Sequence, residues 1–162
     1  MESDPGAAET VPVALAARPA IAGETRSRVG LSAAALELLQ RLAERHGPLM
    51  FHQSGGCCDG SSPMCYQAGE FLTGGSDVLL GVFELPGADG EGGGELEFWM
   101  SQEQFAYWRH THLLVDAVQG RGAGFSLEGP TGMRFLIRST LLPDSALPEE
   151  PAESPRAEPE EG

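Results

Sequence analysis

The 162-residue chain contains no lysine, and arginine supplies all ten of its basic residues against 24 acidic ones. The resulting net charge of −14 argues against a nucleic-acid partner, because neutralising phosphates takes basic clusters. Cysteine is scarce and odd in number: three thiols do not make a secreted disulfide framework. There is no run of eighteen apolar residues, which excludes a membrane-spanning helix. The first twenty residues carry Glu2 and Asp4 where a signal peptide needs positive charge, and Pro12 and Arg18 interrupt their apolar run. The expectation is a cytoplasmic protein with reduced thiols and no membrane contact.

What is present falls into three parts. Residues 1–28 are rich in Ala, Pro and Gly and show no period; residues 143–162 are rich in Pro and Glu. Neither segment has the apolar content to offset its ordering entropy, so both are expected to be disordered tails. Residues 29–142 then form one domain of ordinary size.

Within that domain "LSAAALELLQRLAERHGP" has the pattern of a helix. Ser32 caps it, Leu36, Leu39, Leu42 and Ala43 make an apolar stripe, and Gly47-Pro48 ends it. "LMFH" and "SDVLLGVFEL" read as strands, "PGADGEGGGE" as a turn and "LEFWM" as a further strand. "SQEQFAYWRH" reads as a short helix in which Ser101 faces Gln104, with Phe105 and Trp108 pointing inward. "THLLVDAV", "FSLE" and "MRFLIRS" complete the strands. The fold class is therefore α+β and strand-dominated, with an N-terminal helix, one short internal helix and no βαβ repeat.

The chemistry is concentrated in "FHQSGGCCDGSSPMC", which holds Cys57, Cys58 and Cys65 downstream of His52. Glycine lets a loop fold tightly enough for thiolates to converge, and soft sulfur ligands suit zinc, copper(I) or an iron–sulfur cluster. The spacing matches no standard zinc module, since there is no CxxC pair. The expected metal ligands are Cys57, Cys58, Cys65 and His52, taken by an iron–sulfur cluster or a single zinc or iron ion; no catalytic residue is assigned. Three other readings stay open for the thiols: an inert packing role, a strained Cys57–Cys58 disulfide, and a nucleophilic Cys57 or Cys58. His110 and His112 would share one face of a strand, as a weaker chelating pair or a polar element end. The "GRGAG" turn lacks the Lys-Ser/Thr of a phosphate loop, although its Arg121 has the charge to face a ligand.

The cysteine loop, the strand "SDVLLGVFEL" and "FWMSQEQFAYWRHTHLLVDAVQGRGAGFSLEGPTGMRFLIRS" together resemble a bacterial family, domain of unknown function number 779, over about residues 30–142. Members are often encoded beside an aldehyde dehydrogenase. The resemblance implies such an enzyme as a partner rather than as the activity, since the chain is short and has no nucleotide-binding fingerprint. The layout is also similar, more distantly, to the HesB-like A-type iron–sulfur carriers. Their helix, Gly-Gly-Cys loop and G-x-G-F turn correspond to residues 31–45, Gly55-Gly56-Cys57 and Gly122-Ala123-Gly124-Phe125. That likeness implies a HesB-like fold, a cluster ligand at Cys57 and a homo-oligomer. The carriers' terminal C-x-C pair is absent, because no cysteine follows Cys65. The functional expectation is a small metal- or iron–sulfur-binding accessory protein; the alternative is a thiol-dependent redox or aldehyde-handling enzyme using Cys57 or Cys58.

Overall fold

The computed structural model describes residues 11–53, 61–70, 73–86, 92–121 and 126–142. The helix α1 spans Ala33–His46. The Ser32 hydroxyl accepts a hydrogen bond from the Ala35 amide at 3.1 Å. At the other end Gly47 takes φ +83°, a value that disfavours any side chain, and donates its N–H to the Ala43 carbonyl. The buried face carries Ala35, Leu38, Leu39 and Leu42, with Leu36 and Ala43 half-covered at its margin. The expected stripe is thus present, turned by about one residue.

Among the described residues nine strands make two sheets. β1 (Leu15–Ala16), β3 (Val29–Leu31), β8 (Thr111–Gln119) and β9 (Met133–Leu141) form one, in the order β1-β3-β8-β9. β2 (Arg18–Pro19), β6 (Asp77–Pro86), β7 (Gly92–Ser101), β4 (Leu49–Gln53) and β5 (Met64–Gln67) form the other, in the order β2-β6-β7-β4-β5. β3–β8 and β4–β7 are parallel and the other pairs antiparallel. One apolar core takes Val29, Leu113, Val115, Phe135 and Ile137 from the first sheet and Phe51, Phe83, Leu96, Phe98 and Met100 from the second. Phe51 meets Phe135 edge-on across it, with ring centroids 5.0 Å apart. α1 contributes its leucines to the same core. The short helix α2 (Gln102–Trp108) starts at Ser101, whose hydroxyl accepts from the Gln104 amide, and it buries Trp108. The fold is α+β and strand-dominated, with two α-helices among the described residues, as the patterning indicates.

Three expectations change. Residues 11–28 are ordered: β1 pairs with β3 and β2 with β6, so residues 15–19 stitch one sheet to the other across buried Ala17. Buried Arg28 fixes the same segment through Glu24 at 2.7 Å and through the ring of Phe105, 5.2 Å away. Strands of two residues carry no periodic signal, which is why patterning assigns them to a tail. "FSLE" is not a strand where it is described: Leu127 and Glu128 turn into a 3₁₀ segment at Gly129–Thr131. Cys65 does not sit in a loop, but within β5. Residues 1–10, the tip of the glycine-rich β6–β7 turn and the acidic segment 143–162 lie outside the described residues.

Candidate functional site

The β4–β5 hairpin carries the chain into and out of residues 54–60, the segment with Cys57 and Cys58. Those two cysteines lie outside the described residues. The positions on either side of them are described. Gln53 ends β4 at 1% exposure, and the carbonyl of Ser61 accepts a hydrogen bond from Ile137 of β9 at 2.8 Å. The hydroxyl of neighbouring Ser62 accepts from Arg134 at 3.1 Å. Both exits of the cysteine segment are therefore tied down, one inside the sheet and one against β9.

Cys65 lies directly opposite Phe51 in the antiparallel register, and His52 lies opposite Met64. Successive residues of a strand alternate faces. Cys65 thus joins Phe51 on the core face, while His52 points to the other side of the sheet. The register does not bring these two expected ligands together. Cys65 is fully buried, and burial, followed by the nearby Glu128 carboxyl, pushes its thiol pKa far up. It is held as a protonated thiol. His52 is 3% exposed and its Nε2 lies 2.8 Å from Oδ1 of Asp77. The hydrogen bond from His52 and a second from the Gly74 amide hold the Asp77 carboxyl below the usual range. An ionised carboxylate only accepts, so Nε2 carries the proton.

Beside Cys65 sits a polar group that nothing in the sequence marks. The Ser126 hydroxyl accepts from the Cys65 amide at 2.8 Å and donates to Oε1 of Glu128. The Leu127 amide donates to the Cys65 carbonyl at 3.0 Å. Glu128 is fully buried, and its Oε2 has no hydrogen-bond partner among the described residues. Burial raises its pKa, and hydrogen bonds from Ser126 and from the backbone amides of Glu128 and Phe135 only partly offset that rise. In the sequence Glu128 closes the run "FSLE", read as a strand, with nothing to mark it as buried. Its burial follows from the tertiary path of residues 126–131 over β5, which no local pattern encodes.

His110 precedes β8 rather than lying on it, so the shared-face geometry with His112 does not arise. His112 is half-buried, and burial lowers its pKa. Arg121 is exposed at the start of a segment whose residues 122–125 lie outside the described residues. Among the described residues, no group of three or more His, Cys, Asp or Glu side chains converges as metal ligands would. No helix among them is long and apolar enough to cross a membrane.

One described groove stands out by its charge. It has a volume of about 620 Å³ and runs between the C-terminal half of α1 and the turn at residues 126–131. Arg41, Arg45 and His46 line one wall.

No curated protein and no solved structure matches the chain. A family model does, that of a domain of unknown function (DUF779), over residues 38–141, a span that starts inside α1 and takes in the cysteine segment, Glu128 and all of β8. The match covers more than half of the sequence, and the chain belongs to the DUF779 family.

Proposed function

We propose that the protein is a small metal- or iron–sulfur-binding accessory protein whose ligands come from the segment carrying Cys57 and Cys58. The observation that supports this most is Glu128. A buried carboxyl with one oxygen unpartnered among the described residues sits beside Cys65, on the strand through which the cysteine segment re-enters the sheet. Isolated buried carboxylates are costly, and a cation is one remedy. The donor set of two thiols, a buried third thiol and a carboxylate suits zinc or iron. In this reading Cys57 and Cys58 bind first, Cys65 and Glu128 form the base of the site, and His52 braces the sheet through Asp77 from the opposite face. A HesB-like fold, a homo-oligomer and an aldehyde dehydrogenase as the client enzyme belong to the same proposal, by resemblance alone.

The test is elemental and sulfide analysis of protein purified without air. Near-stoichiometric zinc, or iron with sulfide, that is lost in Cys57→Ser and Cys58→Ser and kept in His52→Gln is the expected result. Metal-free protein with titratable Cys57 and Cys58 overturns it. Rapid labelling of either thiol by an aldehyde or iodoacetamide in that metal-free protein would instead favour a thiol-dependent enzyme.

A further inference from the structure

We propose that the groove between α1 and the turn at residues 126–131 is a binding site for a small amphipathic carboxylate, an anionic head on a short aliphatic chain. Its floor is apolar, made of Leu38, Leu42, Leu127 and Pro130. Arg41 and Arg45 stand one helical turn apart on its wall, so both guanidinium groups reach the same stretch of groove. Neither arginine has an ion-pair or hydrogen-bond partner among the described residues. Complementing the helix dipole accounts for basic residues in the last turn, Arg45 and His46. It does not account for Arg41 or for the apolar floor beside it.

The setting sharpens the point. In a chain of net charge −14 without lysine, two adjacent arginines, unpaired among the described residues, form a local positive site over leucines inside a repelling field. Planar guanidinium forks match a carboxylate, while the floor takes apolar chain atoms. The hydroxyls at the far wall are already committed: Ser126 to Cys65 and Glu128, and Thr131 to the Glu128 carbonyl and the Met133 amide. They offer no competing polar anchor, so orientation falls to the arginine end. The volume lies in the range of small-molecule sites. This inference does not depend on a metal at the cysteine segment.

The test is NMR titration of the full chain with octanoate, octanol, acetate and inorganic phosphate, with the Arg41→Gln/Arg45→Gln double variant in parallel. Saturable octanoate binding is expected, with shifts centred on α1 and residues 126–131. The double variant should bind octanoate at least fivefold more weakly, bind octanol unchanged and unfold at the same temperature. No saturable octanoate binding, or octanoate binding equal in the double variant, overturns the proposal. So does acetate or phosphate binding as tightly as octanoate, because the floor would then contribute nothing.

Discussion

Cys65 and Glu128 define what the buried site does at the level of single side chains. A thiol that is fully buried and whose pKa burial drives up reacts slowly, because the thiolate is the nucleophile. Mass-spectrometric mapping after iodoacetamide treatment at pH 8 should leave Cys65 unmodified in folded protein and modify it in urea. Native labelling of Cys65 would contradict its placement in β5. Glu128 works in the opposite sense to most carboxyls. Its folded pKa lies above the unfolded value, so the folded state binds the extra proton and stability falls as pH rises through that window. Glu128→Gln keeps an oxygen for the Ser126 hydroxyl and removes the charge. Metal-free protein with this change should be more stable than the parent at pH 8 by about 1–3 kcal/mol, with the gap closing at pH 5. A parent that is more stable at pH 8 would mean the carboxylate has a partner.

Among the elements, α1 and β6 show which features a sequence exposes. The cap at Ser32, the stop at Gly47 and the leucine spacing are local, so the helix is legible from the sequence. Strands β4, β6, β7, β8 and β9 are legible for the same reason, being runs of branched and aromatic residues. β1, β2 and β5, of two to four residues, are too short to show a period; they are strands because their partners make them so. The candidate site divides in the same way. A cluster of cysteines is visible in the sequence, whereas the separation of His52 from Cys65 depends on register, and the burial of Glu128 on a tertiary crossing.

Ser32 also has a role beyond the helix. Its hydroxyl donates to Oδ1 of Asp116 at 2.6 Å, and Arg138 binds Oδ2 at 2.7 Å. Burial alone would raise the Asp116 pKa, but these bonds and the Ala117 amide outweigh it and hold the carboxyl low. Ser32→Ala therefore removes a cap and a partner of a buried carboxylate together. It should cost about 1–2 kcal/mol in urea unfolding, the upper part of the usual range for a cap; a loss of only a few tenths would show that Asp116 does not need it. In β6 the constraint is space. A Cβ at Gly81 would lie 2.8 Å from the Cβ of Ala17 and 3.0 Å from the Arg18 carbonyl, whereas one at Gly75 meets nothing within 4 Å. Gly81→Ala should destabilise by about 1–3 kcal/mol with Gly75→Ala near neutral, and equal thermal shifts would remove the close approach of strand and segment.

For the molecule as a whole, charge and the two low carboxyls set the response to acid. Asp77 and Asp116 have folded pKa values below the unfolded ones, so their stabilisation is present above about pH 4 and lost as pH falls through the folded values. Glu128 and the self-repulsion of a −14 chain act the other way, favouring pH 5 over pH 7, and are expected to exceed the opposing effect of His112, whose burial-lowered pKa favours pH 7. The urea midpoint of metal-free protein should therefore be highest near pH 5 and lower at both pH 7 and pH 3. A midpoint that falls steadily from pH 7 to pH 5 would contradict this balance.

The stitch at residues 15–19 has a consequence for how the protein comes into being. Leu15 and Ala16 pair with Leu31 and Gly30, about fifteen residues on, but Arg18 and Pro19 must wait for Val82 and Gly81. A ribosome that stalls before Asp77 presents a nascent chain whose residues 15–19 are only half paired. Only a chain that has released β7, β8 and β9 as well can lock both sheets through this segment. Non-local pairings of this kind slow folding. The first part of the described chain to leave the ribosome is thus among the last to settle, and a bulky fusion placed just ahead of it would burden assembly more than the finished protein.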